Sequence, residues 1–465
     1  AARAAVSAMF ASGASPGAYP ATGSSGLGYG VALAVFWVGF NQGLVWMTLS
    51  ASPMFLRGLL PDIVISDSEI SLLLAWGPLG HILALSICQT RVRRGGYAAA
   101  RACLFIGSLL VVFGASARCV PFWSSSRPRL WLHTGQILNG LAGPAPSLAA
   151  PALLAAWLSA SEQAAVGHVV LALQHGAPTF GFMAAIFVNS FDRLRALMLS
   201  EMASSILACL VWCLLAVQPA RSTACFETSG GVDEPTSWAE VLAVMRRGRC
   251  WLLVASAGVA AGVFRAWSAS LAVMLATSGP GVGGRGVNPG AFFGLVSTGV
   301  GCLATIVAPA AEPHLCQRPR RCLVALFALQ LVLFLLFVAY VPGAIGSPNL
   351  ALTILPAAAP VALSMASFVN GLSGPVCLAL CEEIAAPAPK VVISSACAFA
   401  SHAAGAVSLL VLCCGPVGPR GPVGCLLMPF AVALSLEMLY LVLAAPPRSS
   451  SESDAAGLSL HRFSP

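Results

Sequence analysis

Six polar side chains lie inside long apolar runs of this sequence: Gln42, Gln136, Asn139, Gln174, His175 and Asn370. Trp46 follows Gln42 by four residues. Lipid offers no hydrogen bonds, and a full charge at mid-span costs about 2.5–3.5 kcal/mol on insertion scales, so polar groups there turn towards a partner or a cavity. Trp46 presents a flat face to a planar ring or a cation. Gln136 and Asn139, three residues apart, share one helix face and could contact the edge of a small organic solute. His175 is the candidate for proton coupling because imidazole titrates near neutral pH. His81, His168 and His402 lie in similar runs. Each residue has a plainer reading as well: amides join neighbouring helices, and Trp and His pack. Arg265 also falls inside an apolar run, and would mark an anionic substrate, a pair with Glu201 or Glu437, or a tilted helix end.

Other chemistries lack their residues. The chain shows no nucleophile–base pair, no His/Glu pair at zincin spacing, no Gly-rich phosphate loop after a strand and no nucleic-acid-binding constellation. Cys413-Cys414 lacks metal-site spacing. The expectation is a non-enzyme with no metal, no cofactor and no nucleic-acid partner, working as a monomer.

The elements that must position these side chains are membrane helices. Of 465 residues, 58% are hydrophobic and 9% charged, against roughly 25% charged in soluble domains. That excludes a water-soluble globule and a disordered or collagen-like chain; the 16 Cys, mostly within apolar runs, exclude a disulfide-stapled secreted domain. A bilayer core takes about 20 apolar residues in helical form. On that rule twelve spans are expected, at 29–50, 69–90, 98–117, 131–154, 164–187, 196–217, 250–275, 290–310, 322–341, 350–380, 391–414 and 423–444. The fold class is an all-α polytopic membrane protein whose main partner is the lipid bilayer.

The polar connection 218–249 divides the spans into six (29–217) and six (250–444). Residues 1–28 and the Ser-rich tail 445–465 are expected to be disordered and cytoplasmic. With both termini cytoplasmic, fifteen basic residues fall inside and eight outside, Arg118 among the latter, as the positive-inside rule asks. Residues 1–28 have no charged start and no apolar core, so no secretory signal is expected there. The chain starts at Ala1 rather than Met, as an incomplete gene model would.

An internal repeat refines the architecture. Asn139-Gly140-Leu141-Ala142-Gly143-Pro144 in span four matches Asn370-Gly371-Leu372-Ser373-Gly374-Pro375 in span ten at five of six letters. Gly39, Gly43 and Trp46 in span one parallel Gly258, Gly262 and Trp267 in span seven. Two motifs in matching order indicate two related six-helix halves. Small residues admit close helix approach, and Pro bends a helix.

Specific motifs then add a resemblance. Gly39-Phe40-Asn41-Gln42-Gly43-Leu44-Val45-Trp46, Trp76-Gly77-Pro78-Leu79-Gly80, Arg118-Cys119-Val120-Pro121 and Gly135-Gln136-Ile137-Leu138 leading into Asn139–Pro144 resemble segments of the solute carrier 49 family of the major facilitator superfamily. So do Trp157–Glu162, Asp192-Arg193 with Glu201, Gly262-Val263-Phe264, and Glu383 with Pro387 and Pro389. The resemblance runs from about residue 30 to 442. It implies twelve helices, alternating access and a small organic solute. Its lysosomal branch implies proton-linked export of pyridoxine; the haem and choline carriers of the family are the alternative, with a plasma-membrane location, and a non-transporting receptor or scaffold is a further one.

The departures fall at cytoplasmic hinge and latch positions, where the resemblance places Arg93, Arg94, Glu162 and Glu383. Where the family has D-[KR]-R-G, this chain has Val92-Arg93-Arg94-Gly95; where it has E-R, Glu162-Gln163; and where it has P-x-P-E-G, Pro387-Ala388-Pro389-Lys390-Val391. A weakened cytoplasmic gate is the expectation. Loop 188–196 is short, and no Asn-x-Ser/Thr acceptor occurs.

Overall fold

The computed structural model describes residues 25–53, 65–123, 127–188, 190–216, 246, 250–276, 289–340, 358–385 and 390–414. Among them the protein is helical, and ten helices are long and apolar enough to cross a membrane. These are span one (Gly26–Ala51), two (Asp67–Val92), three (Arg94–Phe122), four (Pro128–Ala155), six (Phe191–Leu215), seven (Cys250–Leu271), eight (Gly290–Leu315), nine (Pro319–Phe337), ten (Pro360–Cys381) and eleven (Ile393–Cys414). Span five is two helices, Ala160–His175 and Ala177–Phe187, meeting at Gly176. The expected twelfth span, the connection 218–245 and both termini lie outside the described residues.

Local chemistry sets the ends and breaks. Ser66 caps span two, its side chain accepting from Glu69 N at 3.1 Å, and satisfies a donor that the first turn leaves open. Spans two and three form one helical run, Asp67–Cys119, reversed at Gly96 with φ 53° and ψ −136°. Only glycine adopts that conformation without strain. Span four breaks between Ala142 and Pro144, where proline supplies no amide donor. The second repeat, residues 370–375, lies inside the helix Ala358–Ala385.

The repeat is visible in helix contacts. A Cβ on Gly140 of span four would collide with the backbone of Trp76 in span two, and one on Gly371 of span ten would lie 2.7 Å from Ala304 Cβ in span eight. Likewise Gly43 of span one abuts Ala177 of span five, and Gly262 of span seven abuts Ser401–Gly405 of span eleven. The related motifs thus make the same crossing in each set of spans.

We refer to the face where span one starts as the inner face and to the opposite one as the outer face. Buried apolar residues form three clusters. One joins the outer ends of spans one to six to Ala266, Ala269 and Val273 of span seven, Ala291 of span eight and Leu409 of span eleven. A second, Val31 to Val38 with Leu104, Leu153 and Trp212, draws on the inner parts of spans one, three, four, five and six. The third runs the length of spans seven, nine, ten and eleven, from Cys250, Leu323 and Cys381 at the inner end to Trp267, Phe334 and Leu363 at the outer end. Apolar packing therefore welds the two sets of spans together at the outer face, while towards the inner face each set has its own core.

Candidate functional site

Three basic side chains converge halfway along their helices, below the outer seal. His81 of span two stacks on His402 of span eleven, ring centroids 3.7 Å apart at 30°. This is a direct contact between the first six spans and the later ones. Arg265 of span seven lies within electrostatic reach of His81.

Glycines build this arrangement. Gly80 of span two crosses Gly140, where a Cβ would fall 2.6 Å from the Gly140 carbonyl carbon. One turn along, Gly143 receives the His81 ring, whose Nδ1 lies 2.6 Å from where a Cβ would stand. Gly258 and Gly262 bring span seven against Ala400–Gly405 of span eleven, the turn that carries His402. The side chain of Arg265 is exposed. Among the described residues Arg265 has no hydrogen-bond or ion-pair partner.

The residues expected from the sequence occupy definite places nearby. Gln42 and Asn139 link spans one and four reciprocally: Gln42 Nε2 donates to Asn139 O at 3.4 Å and Asn139 Nδ2 donates to Gln42 O at 3.0 Å. Trp46 donates its indole N–H to Leu74 O at 2.9 Å and packs against Gly77. Gln174 donates to Val35 O at 3.3 Å, joining spans five and one. Asn370 accepts from Gln330 Nε2 at 3.2 Å. Gln136 is fully buried, and its amide has no partner among the described residues. His175 ends the first helix of span five; its side chain lies outside the described residues.

At the inner face Glu162 forms a capping box with Ser159, Glu162 Oε2 accepting from Ser159 N at 3.0 Å, and takes a hydrogen bond from Tyr29 at 3.2 Å. Gln163, where the resemblance expects a basic residue, donates to Leu158 O at 2.9 Å. Val92 packs against the inner cluster of the first six spans. Arg94 and Glu383 are exposed, and the side chain of Arg93 lies outside the described residues.

The structure corrects one placement. Arg118, counted from sequence among outer-loop residues, is fully buried and paired with Glu201 of span six at 3.4 Å. Arg118 Nη1 also donates to Val45 O at 2.5 Å, and Thr48 donates to Glu201 Oε1. Glu201 therefore pairs with Arg118 and not with Arg265; Glu437 lies outside the described residues. Only a weak sign of this pair is legible in the sequence: Arg118 closes an apolar run at about the depth at which Glu201 lies in another.

No sequence profile of a known protein family matches the chain. Over 254 residues it is 27% identical to the Solute carrier family 49 member 4 homolog of Xenopus tropicalis, covering 51% of this chain and 54% of that protein. Over 136 residues it is 33% identical to the Xenopus laevis protein of the same name, covering 29% of this chain and 28% of that one. The chain thus spans about half the length of the first of these curated relatives. The crystal structure of a D-xylose-proton symporter superposes with a TM-score of 0.66 at 14% identity, covering 90% of this chain and 98% of that one. The protein is a multi-pass membrane protein with the major facilitator superfamily fold, and its curated relatives are solute carrier family 49 member 4 homologues.

Proposed function

We propose that this protein is a solute carrier that moves a small organic molecule by alternating access. The observation that carries this reading is the asymmetry of packing: a shared apolar seal at the outer face and separate cores towards the inner face. That is one end state of a two-state carrier in which residues 29–217 and 250–444 rock about a central site. The site would lie between the sets of spans at the depth of Gln42, Trp46, Gln136, Asn139 and Asn370, with Gln174 and His175 contributed by span five. Arg93, Arg94, Glu162 and Glu383 would govern closure at the inner face.

The motif resemblance to the lysosomal branch of the family supports a planar, pyridoxine-like solute, proton-linked flux and a lysosomal membrane, and the distribution of basic residues supports both termini in the cytosol. Purified protein reconstituted into liposomes tests this. Time-dependent, saturable accumulation of radiolabelled pyridoxine, enhanced by a proton gradient, is expected. Specific binding without flux would make the chain a receptor, and flux of choline or haem in place of pyridoxine would move it to another branch of the family.

A further inference from the structure

We infer that the inner ends of spans seven, ten and eleven carry an oxidation site, in which Cys397 and Cys381 join as a reversible disulfide that ties span eleven to span ten. The effect on transport rests on the carrier reading; the bond itself does not.

The first ground is a cluster of four thiols drawn from three helices. Cys250 opens the helix Cys250–Ala276, Cys377 and Cys381 lie near the end of the helix Ala358–Ala385, and Cys397 lies near the start of the helix Lys390–Cys414. The Cys381 thiol is within hydrogen-bonding reach of the thiols of Cys250, Cys377 and Cys397. All four are free thiols. Cys250, Cys377 and Cys381 belong to the buried core of these spans, and Cys397 packs against it. Sulfurs that packing already holds together react as if in one molecule, so a neighbouring thiol captures an oxidised one.

The second ground is unequal exposure. Cys250, Cys377 and Cys381 are buried, while Cys397 is partly exposed, so a small oxidant such as hydrogen peroxide meets Cys397 first. The Cys397 sulfur attacks one peroxide oxygen, the O–O bond breaks, and a sulfenic acid and one water result. The Cys381 sulfur then attacks that of Cys397; the S–S bond forms, the S–O bond breaks, and the hydroxyl leaves as water with the Cys381 proton. Two thiols thus give up two electrons, and one peroxide becomes two waters. Glu383, which would act in closure at the inner face, lies two residues beyond Cys381 on the same helix. Tied to span eleven, that end of span ten loses the freedom to shift as the inner face opens and closes.

Full-length protein in liposomes tests the inference. After exposure to hydrogen peroxide, remaining thiols are blocked with N-ethylmaleimide during denaturation, and proteolytic fragments are analysed by mass spectrometry without reduction. Linked Cys381–Cys397 fragments are expected to form at least tenfold faster than any other bridge in the chain, and dithiothreitol should reverse them. Cys397→Ser should leave Cys381 reduced under the same exposure, and Cys381→Ala should raise dimedone labelling of Cys397 as its sulfenic acid. Pyridoxine flux should fall at least threefold on bridging, recover with dithiothreitol and stay unresponsive in Cys397→Ser. Size-exclusion profiles check the folding of each variant. Oxidation of Cys397 without a bridge to Cys381, preferential bridging elsewhere, or flux unchanged by complete bridging would overturn the inference. Bridge formation in a protein that shows no flux even when reduced would uphold the site and defeat the carrier reading.

Discussion

Replacing Glu201 by Leu would leave the guanidinium of Arg118 buried with its charge uncompensated. Both side chains are about 1% exposed and the Nη1–Oε2 separation is 3.4 Å, so at an effective dielectric constant near 20 the lost attraction is about 5 kcal/mol. Breaking buried pairs by removing one partner costs a similar 3–5 kcal/mol. The double replacement Arg118→Met with Glu201→Leu removes both charges, and stability should return to within about 2 kcal/mol of the native protein, since apolar substitutes for buried pairs are often neutral. Thr48→Val, which deletes the hydroxyl donor to Glu201, should cost about 1 kcal/mol. Equilibrium unfolding in mixed micelles gives the double-mutant cycle. A Glu201→Leu cost under about 1 kcal/mol, or a double variant equal to the sum of its singles, would refute the assignment of this pair as a coupled structural element.

Gly80→Val should destabilise by about 1–3 kcal/mol, the usual cost of overpacking, because its Cβ would lie 2.6 Å from Gly140 backbone; the same unfolding assay measures it. Gly96→Ala should cost about 1–3 kcal/mol from a left-handed φ of 53°, again read by unfolding. Glu69→Gln should change stability by less than about 1 kcal/mol, because the pair with Arg129 at 3.1 Å involves a half-exposed guanidinium, and added salt should shrink even that difference.

Composition and apolar run length made the helices readable, because a bilayer demands the same length and chemistry from every span. The repeated Asn-Gly-Leu-x-Gly-Pro motif disclosed helix crossings as well, since close backbone approach requires glycine at fixed positions: Gly140 and Gly371 each face the equivalent neighbour. Arg118 was less legible. Its place in the chain, at the end of a run, is shared by ordinary loop arginines, and only tertiary packing brings it to Glu201. The His81–His402 stack was illegible for a similar reason: residues 321 apart in sequence meet through contact of spans two and eleven, which no local pattern encodes. Nor does local pattern separate a substrate amide from a helix-joining one, and Gln42 and Asn139 are seen bonding each other's backbone.

Alternating access is tested most directly by distances across each face, measured between spin labels carried on genetically encoded amino acids so that the 16 native cysteines can stay. Arg94 with Arg318 reports the inner face and Arg127 with Phe292 the outer one, all four being exposed. The account predicts two populations for each pair, with acidification and solute moving weight from the long to the short inner distance while the outer distance changes in the opposite sense. A single, fixed distribution for both pairs under every condition would contradict it.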